Sequence, residues 1–292
     1  MPRRRPWLRR LGFLLGLSLA IVGLATIVER TTGGVTLGSV VGVVDIDGVI
    51  SNAEPICESL DGLRQDPHVV SVVLRIDSPG GGVAPSQEIF DAVRRLRDAK
   101  PVIASLGNVA ASGGYYVAAA ANTIVAAPGT LTGSIGVIME FRNLGALADK
   151  VGVSQSVVKS GLYKDIGNPV RPMTDGERKL LQGMVDDVYG QFVDAVATGR
   201  GIPASRVREL ADGRLYSGSQ AKAVGLVDEL GGFDRATRLA WERGGQTGEP
   251  RVRRIKGAWR PWWLDALGQA FTPARPGLGG GLLFLYGGPT PQ

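Results

Sequence analysis

The chain has 292 residues, 44% of them hydrophobic and 21% charged, so it can bury a sizeable core and is too apolar for an intrinsically disordered chain. Its formal charge of +6 would suit a nucleic-acid binder, but five arginines (Arg3, Arg4, Arg5, Arg9 and Arg10) lie within the first ten residues. Without them 28 of the 33 basic residues stand against 27 acidic ones, which excludes nucleic acid as a partner.

Residues 1–10 therefore read as a basic segment. Leu11 to Val28 follows without a charge, LGFLLGLSLAIVGLATIV, about 27 Å long as a helix at 1.5 Å per residue. That approaches the roughly 30 Å hydrocarbon core of a bilayer. The positive-inside rule keeps the arginines cytoplasmic and sends everything after Glu29 out of the cytoplasm, with Trp7 at the interface. A cleaved secretory signal is the rival reading. The stretch before Glu29 offers no clear A-x-A cleavage site, which favours a retained single-pass anchor, and both readings export the rest of the chain. The single cysteine, Cys57, cannot form an intrachain disulfide and reads as a small apolar filler.

After a linker over residues 29–38, Val40 to Ile50 is rich in β-branched residues and ends in turn formers, the pattern of a buried strand. Similar runs occur at Val69 to Ile76, Val102 to Leu106, Thr123 to Ala127 and Ile135 to Met139. Between them, Ser86 to Ala99 has helical spacing with Ser86 as its expected cap, and Gly113 to Ala121 is small and apolar all round, as a buried helix would be. Thr174 to Ala197 predicts a long helix opened by a Thr174/Glu177 capping box. Ser217 to Glu229 predicts a short helix and a strand. This alternation implies an α/β fold with a largely parallel sheet over residues 39–243. Residues 244–292 form a tail of Gly, Pro, Arg and Trp without clear periodicity.

Two glycine-rich segments carry candidate chemistry. Arg75 to Val83, RIDSPGGGV, ends a strand with three glycines whose N–H groups can approach a ligand and stabilise an oxyanion; the plain alternative is a βα turn. Asn108 to Tyr116, NVAASGGYY, puts Ser112 between a strand and an apolar helix, where it is either an N-cap or a nucleophile whose hydroxyl projects from a site rich in N–H groups, although the segment does not match G-x-S-x-G. A serine nucleophile needs a base, and the chain has one histidine. His68 starts the strand that the glycines end, on the order of 30 Å away at 3.3 Å per residue. A Ser-His-Asp triad is thereby disfavoured and a Ser-Lys arrangement favoured. Lys164 in SGLYKDIG, just after the strand-like Ser154 to Val158, is the candidate base, against the default of a solvated loop lysine.

The ordered series RIDSPGGGV, NVAASGGYYVAAAANTIVAAPGTLTGSIGVIM, KSGLYKDIGNPVRPMT and GRLYSGSQAKAVGLVDELGG resembles the signal peptide peptidase A family of serine proteases in its short, single-domain form. The likeness runs from about Val40 to Asp234. It implies Ser112 as nucleophile and Lys164 as general base, with Lys159 the rival lysine. It also implies that Ser134 hydrogen-bonds the catalytic lysine and that the Gly81 and Gly113 amides form the oxyanion hole, with Gly82 a possible substitute for Gly81. The implied fold is a crotonase/Clp protease-like spiral of ββα units, assembled into a homo-oligomeric ring or dome. Implied substrates are peptides, specifically remnant signal peptides at the membrane, and no metal or organic cofactor is required. Two rivals are an acyl-CoA hydratase or isomerase on the same fold and a non-catalytic membrane scaffold. Within the tail, Gly277 to Tyr286 (GLGGGLLFLY) resembles such a substrate, so it is expected to enter an active-site groove and be trimmed there.

Overall fold

The computed structural model describes residues 38–255 and the backbone of residues 283–285. The expected anchor, Leu11 to Val28, lies outside these residues. Among those described, no helix is long and apolar enough to cross a membrane.

The centre is a parallel pair, β1 (Val40–Ile50) and β2 (Val69–Gly82), joined through helix α1 (Glu54–Gln65). Helix α2 (Val83–Arg97) leads from β2 to β3 (Val102–Ala111), which pairs parallel with β2 and runs directly into α3 (Gly113–Ala118). Both β4 (Thr123–Ala126) and β5 (Leu131–Gly133) pair parallel with β3 at different heights, and a short α4 (Gly145–Lys150) follows. The long α5 (Asp175–Arg200) precedes α6 (Ala204–Leu210), β6 (Leu215–Ser217), α7 (Gly218–Ala223), β7 (Glu229–Leu230) and α8 (Phe233–Arg243). Two further strands, β8 (Val252–Ile255) and β9 (Leu283–Leu285), complete a mixed sheet with the path β6-β5-β3-β2-β1-β8. This is the α/β architecture that the alternating pattern predicts.

Strands buried on both faces explain the near-continuous apolar runs. Val41, Val43, Val73 and Ile103 pack beneath Leu239, Ala240 and Trp241 of α8. Val44, Val72, Leu74 and Ile76 face the larger core that holds Leu60, Leu63, Ile89 and Val93. Each such side chain contributes about 1.5–3 kcal/mol relative to an exposed one.

The structure departs from the expected elements in four places. The strand expected at Ile135 to Met139 lies earlier, at Leu131–Gly133, because the backbone turns sharply at Gly133 and Ser134, both at positive φ. Ser86 is no cap: α2 begins at Val83, and the Ser86 hydroxyl donates to the Gly82 carbonyl at 2.8 Å. Ser154 to Val158 forms no strand and stays exposed. Finally, β8 joins the β1 edge in a stretch without periodicity, held by ion pairs from Arg253 to Asp66 and from Arg254 to Asp45 (3.5 Å).

Candidate active site

Ser112 sits at the N-cap position of α3 but caps nothing: its side chain accepts no N–H of the helix, and its backbone lies at φ 52°, ψ −117°. The turn is pinned at each end. The Ser112 N–H donates to the Gly133 carbonyl and the Tyr116 N–H donates to the Ser112 carbonyl, both at 2.8 Å. Behind it α3 is pressed onto β2, where a Cβ on Gly114 would stand 2.9 Å from the Ser78 carbonyl oxygen. Tyr115 is fully buried with its hydroxyl donating to the Leu226 carbonyl at 2.8 Å, and Tyr116 packs between Phe90 and Phe192 with ring centroids 4.9 Å away on both sides. Burial pushes both phenols above their ordinary range, so they stay protonated and cannot serve as bases.

The glycine run has a structural cause of its own. A Cβ on Gly81 would lie 2.1 Å from the Ile50 carbonyl oxygen, because the end of β1 crowds β2 there, and Gly80 has φ +104°. Strand β3 accompanies β2 only as far as Ser78, paired with Ala110, and then turns into the Ser112 elbow. That edge of β2 continues as Gly80–Gly82, and β9 occupies it in antiparallel sense, with Leu285 opposite Gly80, Phe284 opposite Gly81 and Leu283 opposite Gly82. Residues 283–285 of the tail segment expected in a groove are thus laid as a strand on the glycine edge, and the rest of Gly277 to Tyr286 lies outside the described residues.

Ser134 is linked to the elbow through the chain, since the carbonyl that holds the Ser112 N–H belongs to the preceding Gly133. Ser134 is nearly buried, at φ 49°, and its N–H donates to the Arg214 carbonyl at 2.8 Å. Among the described residues Ser112 and Ser134 are the only non-glycine positions with positive φ. Beside Ser134 opens a cleft of about 460 Å³ lined also by Val137, Asp186, Tyr189 and Asp212.

Lys164 is joined to neither serine by a hydrogen bond among the described residues. It lies exposed in the 139–173 segment, and among the described residues its ammonium makes no hydrogen bond or ion pair, to Ser112 or to any other group. Its rival Lys159 is engaged, donating to Asp165 Oδ1 at 2.6 Å and to the Leu162 carbonyl at 3.1 Å. His68 is exposed at the head of β2, the opposite end from the glycines. Among the described residues no cluster of His, Cys, Asp and Glu could hold a metal ion. The polar network around Asp165, Arg171 and Glu177 went unread in the sequence. Its one visible signal, the Thr174/Glu177 capping box, marks only the helix start.

A strained serine at a strand-to-helix elbow, packed onto β2 beside a glycine stretch that pairs with a β-strand, suits a serine hydrolase. The sequence profile of peptidase family S49 matches residues 94–245, and that of Clp protease matches residues 45–130. A protease of Synechocystis sp. is 45% identical over 198 residues, covering 64% of this chain and 72% of the relative. The chloroplastic serine protease SPPA of Arabidopsis thaliana is 36% identical, covering 72% of this chain and 31% of the relative. Protease 4 of Salmonella typhi is 34% identical over 70% of this chain and 35% of its own length. The chain belongs to peptidase family S49 and is a serine protease.

Proposed function

We propose that the protein is a membrane-anchored serine endopeptidase in which Ser112 is the nucleophile and Lys164 the general base, and that it degrades remnant signal peptides at the membrane. The observation that carries this reading is the strain at Ser112 and Ser134, a backbone conformation that costs on the order of 1–3 kcal/mol per residue and persists where the surroundings impose it. A scaffold would have no use for that strain. In the proposed reaction the neutral amine of Lys164 removes the Ser112 hydroxyl proton as Oγ bonds to the peptide carbonyl carbon. The resulting oxyanion is stabilised by the Gly81 and Gly113 N–H groups. Collapse breaks the C–N bond, Lys164 returns the proton to the leaving amine, and water then hydrolyses the acyl-enzyme with Lys164 again as base.

The β9 pairing supports peptide binding as an antiparallel strand on Gly80–Gly82, with main-chain hydrogen bonds holding the substrate. The exposure of Lys164, together with the cleft beside Ser134, supports completion of the dyad in a homo-oligomer, where the lysine of one copy enters the cleft of the next. One relative, from Enterococcus faecium and 40% identical over 62% of this chain and 53% of its own length, is named for signal peptide peptidase, which supports the substrate class. The test is turnover of a fluorogenic peptide by Ser112→Ala, Lys164→Ala and the two co-expressed. Each alone is expected to be inactive and the hybrid assembly active. A dead hybrid would refute the shared dyad, and an active Ser112→Ala would refute the nucleophile.

A further inference from the structure

The segment that presents Lys164 has little apolar anchorage of its own. Residues 151–164 are all exposed, with Leu162 at 72% and Val158 completely bare. Its order comes from a chain of alternating charges. Asp165 takes Lys159 Nζ on Oδ1 at 2.6 Å and Arg171 Nε on Oδ2 at 3.0 Å. Arg171 continues into a two-pronged pair with Glu177, Nη1 to Oε2 at 2.9 Å and Nη2 to Oε1. Glu177 is buried in the first turn of α5, where Oε2 also accepts the Thr174 N–H at 2.9 Å and its hydroxyl at 3.1 Å.

We propose that Lys159, Asp165 and Arg171 are positioning residues for Lys164, forming an ionic brace that fixes the lysine-bearing turn against the start of α5. The proposal rests on the reading of Lys164 as the base. Two features distinguish the brace from ordinary surface ion pairing. First, it grips the main chain on both sides of Lys164: Lys159 holds the Leu162 carbonyl at 3.1 Å and Arg171 Nη2 holds the Asp165 carbonyl at 3.2 Å. The Lys164 N–H closes the turn onto the Gly161 carbonyl at 3.1 Å. Second, it engages both oxygens of Asp165, the carboxylate adjacent in sequence to Lys164. A base amine held by a permanent carboxylate would be kept charged. With Asp165 committed to Lys159 and Arg171, the Lys164 amine is left free to project from a fixed turn.

The carboxylates of the brace hold their charge across the working range. Arg171, then Lys159, keep the Asp165 carboxyl well below the usual carboxylate range, and Arg171 with Thr174 brings Glu177 down to about 2. Both stay ionised at any pH at which a lysine base operates.

The experiment compares full-length wild type, Lys159→Met, Lys159→Arg, Asp165→Asn and Lys164→Ala for kcat and KM on a fluorogenic peptide, thermal midpoint and assembly size. Misplacing a catalytic group by about 1 Å costs roughly 10²-fold, so Lys159→Met and Asp165→Asn are expected to lose about 10- to 10²-fold in kcat with KM little changed. Midpoint and assembly should stay at wild type, Lys159→Arg should recover most of the loss, and Lys164→Ala should fall far below all of them. Wild-type kcat in Lys159→Met and Asp165→Asn beside a dead Lys164→Ala would overturn the brace while leaving the base reading intact. A loss of kcat matched by a lower midpoint or a broken assembly would overturn it in favour of a purely structural network. Retained turnover in Lys164→Ala would overturn the base reading and the brace with it.

Discussion

The two halves of the proposed dyad are held by opposite physical means. Ser112 is buried at 1% exposure, its turn held between β2 and β5 and backed by Tyr115 and Tyr116. Lys164 stands on a bare segment held by ion pairs. Close packing tolerates almost no displacement, so the proposed nucleophile is set within one protomer. These partly buried ion pairs are directional, which suits a group proposed to meet its partner across a contact made later. On the proposed reading, the contrast teaches that the serine half is complete when the chain folds and the lysine half only when copies assemble.

The sharpest way to break this contrast is at the centre of each half. Ser112→Ala is expected to lose roughly 10⁴-fold or more in turnover, as removal of a nucleophile does elsewhere. Its stability should not fall, because the hydroxyl caps nothing. Ser112→Gly should be equally inactive yet more stable by on the order of 1–3 kcal/mol, since glycine relieves the positive φ. A lower melting midpoint for Ser112→Gly than for Ser112→Ala would show that the elbow is unstrained. Coexpressing Ser112→Ala with Lys164→Ala should restore about a quarter of wild-type activity if neighbours in a symmetric ring mix at random. No recovery would place both residues in one copy.

Smaller effects sharpen the serine half. Gly114→Ala brings a methyl within 2.9 Å of the Ser78 carbonyl oxygen and should destabilise by about 1–3 kcal/mol, as overpacking does. Gly183→Ala, where nothing lies within 4 Å of the added carbon, serves as the control on α5. Equal melting midpoints for the two would contradict the close approach of α3 to β2. The tail offers a milder test. If the β9 segment is a tethered substrate, mass spectrometry of purified wild type should find the chain shortened at its C-terminus and Ser112→Ala intact to Gln292. Full-length tails in both would leave β9 as packing alone.

The smallest expected effect is on the pH dependence of the lysine half. Glu177 and Asp165 have depressed values in the folded protein, so their contribution to stability is present above the unfolded carboxylate range of about 4 and disappears as pH falls toward about 2. The thermal midpoint of wild type should therefore be level from pH 6 to 9 and fall as pH drops below about 4. A midpoint that fell on going alkaline would mean that the brace, and not only the base, titrates there.

Much of the serine half was legible because short-range patterns carried it. The β-branched runs gave β1, β2 and β3, and a serine followed by two glycines between a strand and an apolar stretch marked the elbow. The Thr174/Glu177 spacing placed the start of α5. The site residues came from ordered motifs, and residue type alone could not separate Lys159 from Lys164. The structure shows only that Lys159 is bonded to Asp165. The strand placed at Ile135 to Met139 slipped because apolar composition does not register a turn at positive φ.

By itself the sequence determined the class of fold, the peptidase family and the candidate serine, lysine and glycines, all through hydrophobic period, turn chemistry and motif order along a continuous stretch of chain. Tertiary structure alone decided that Gly81 is a glycine because of Ile50, that Ser112 and Ser134 are both strained, that the glycine edge accepts β9 and that Asp165 bonds away from Lys164. Each of these is a contact or a dihedral imposed by residues distant in sequence, and no local pattern encodes an interaction whose partner is set only when the chain packs.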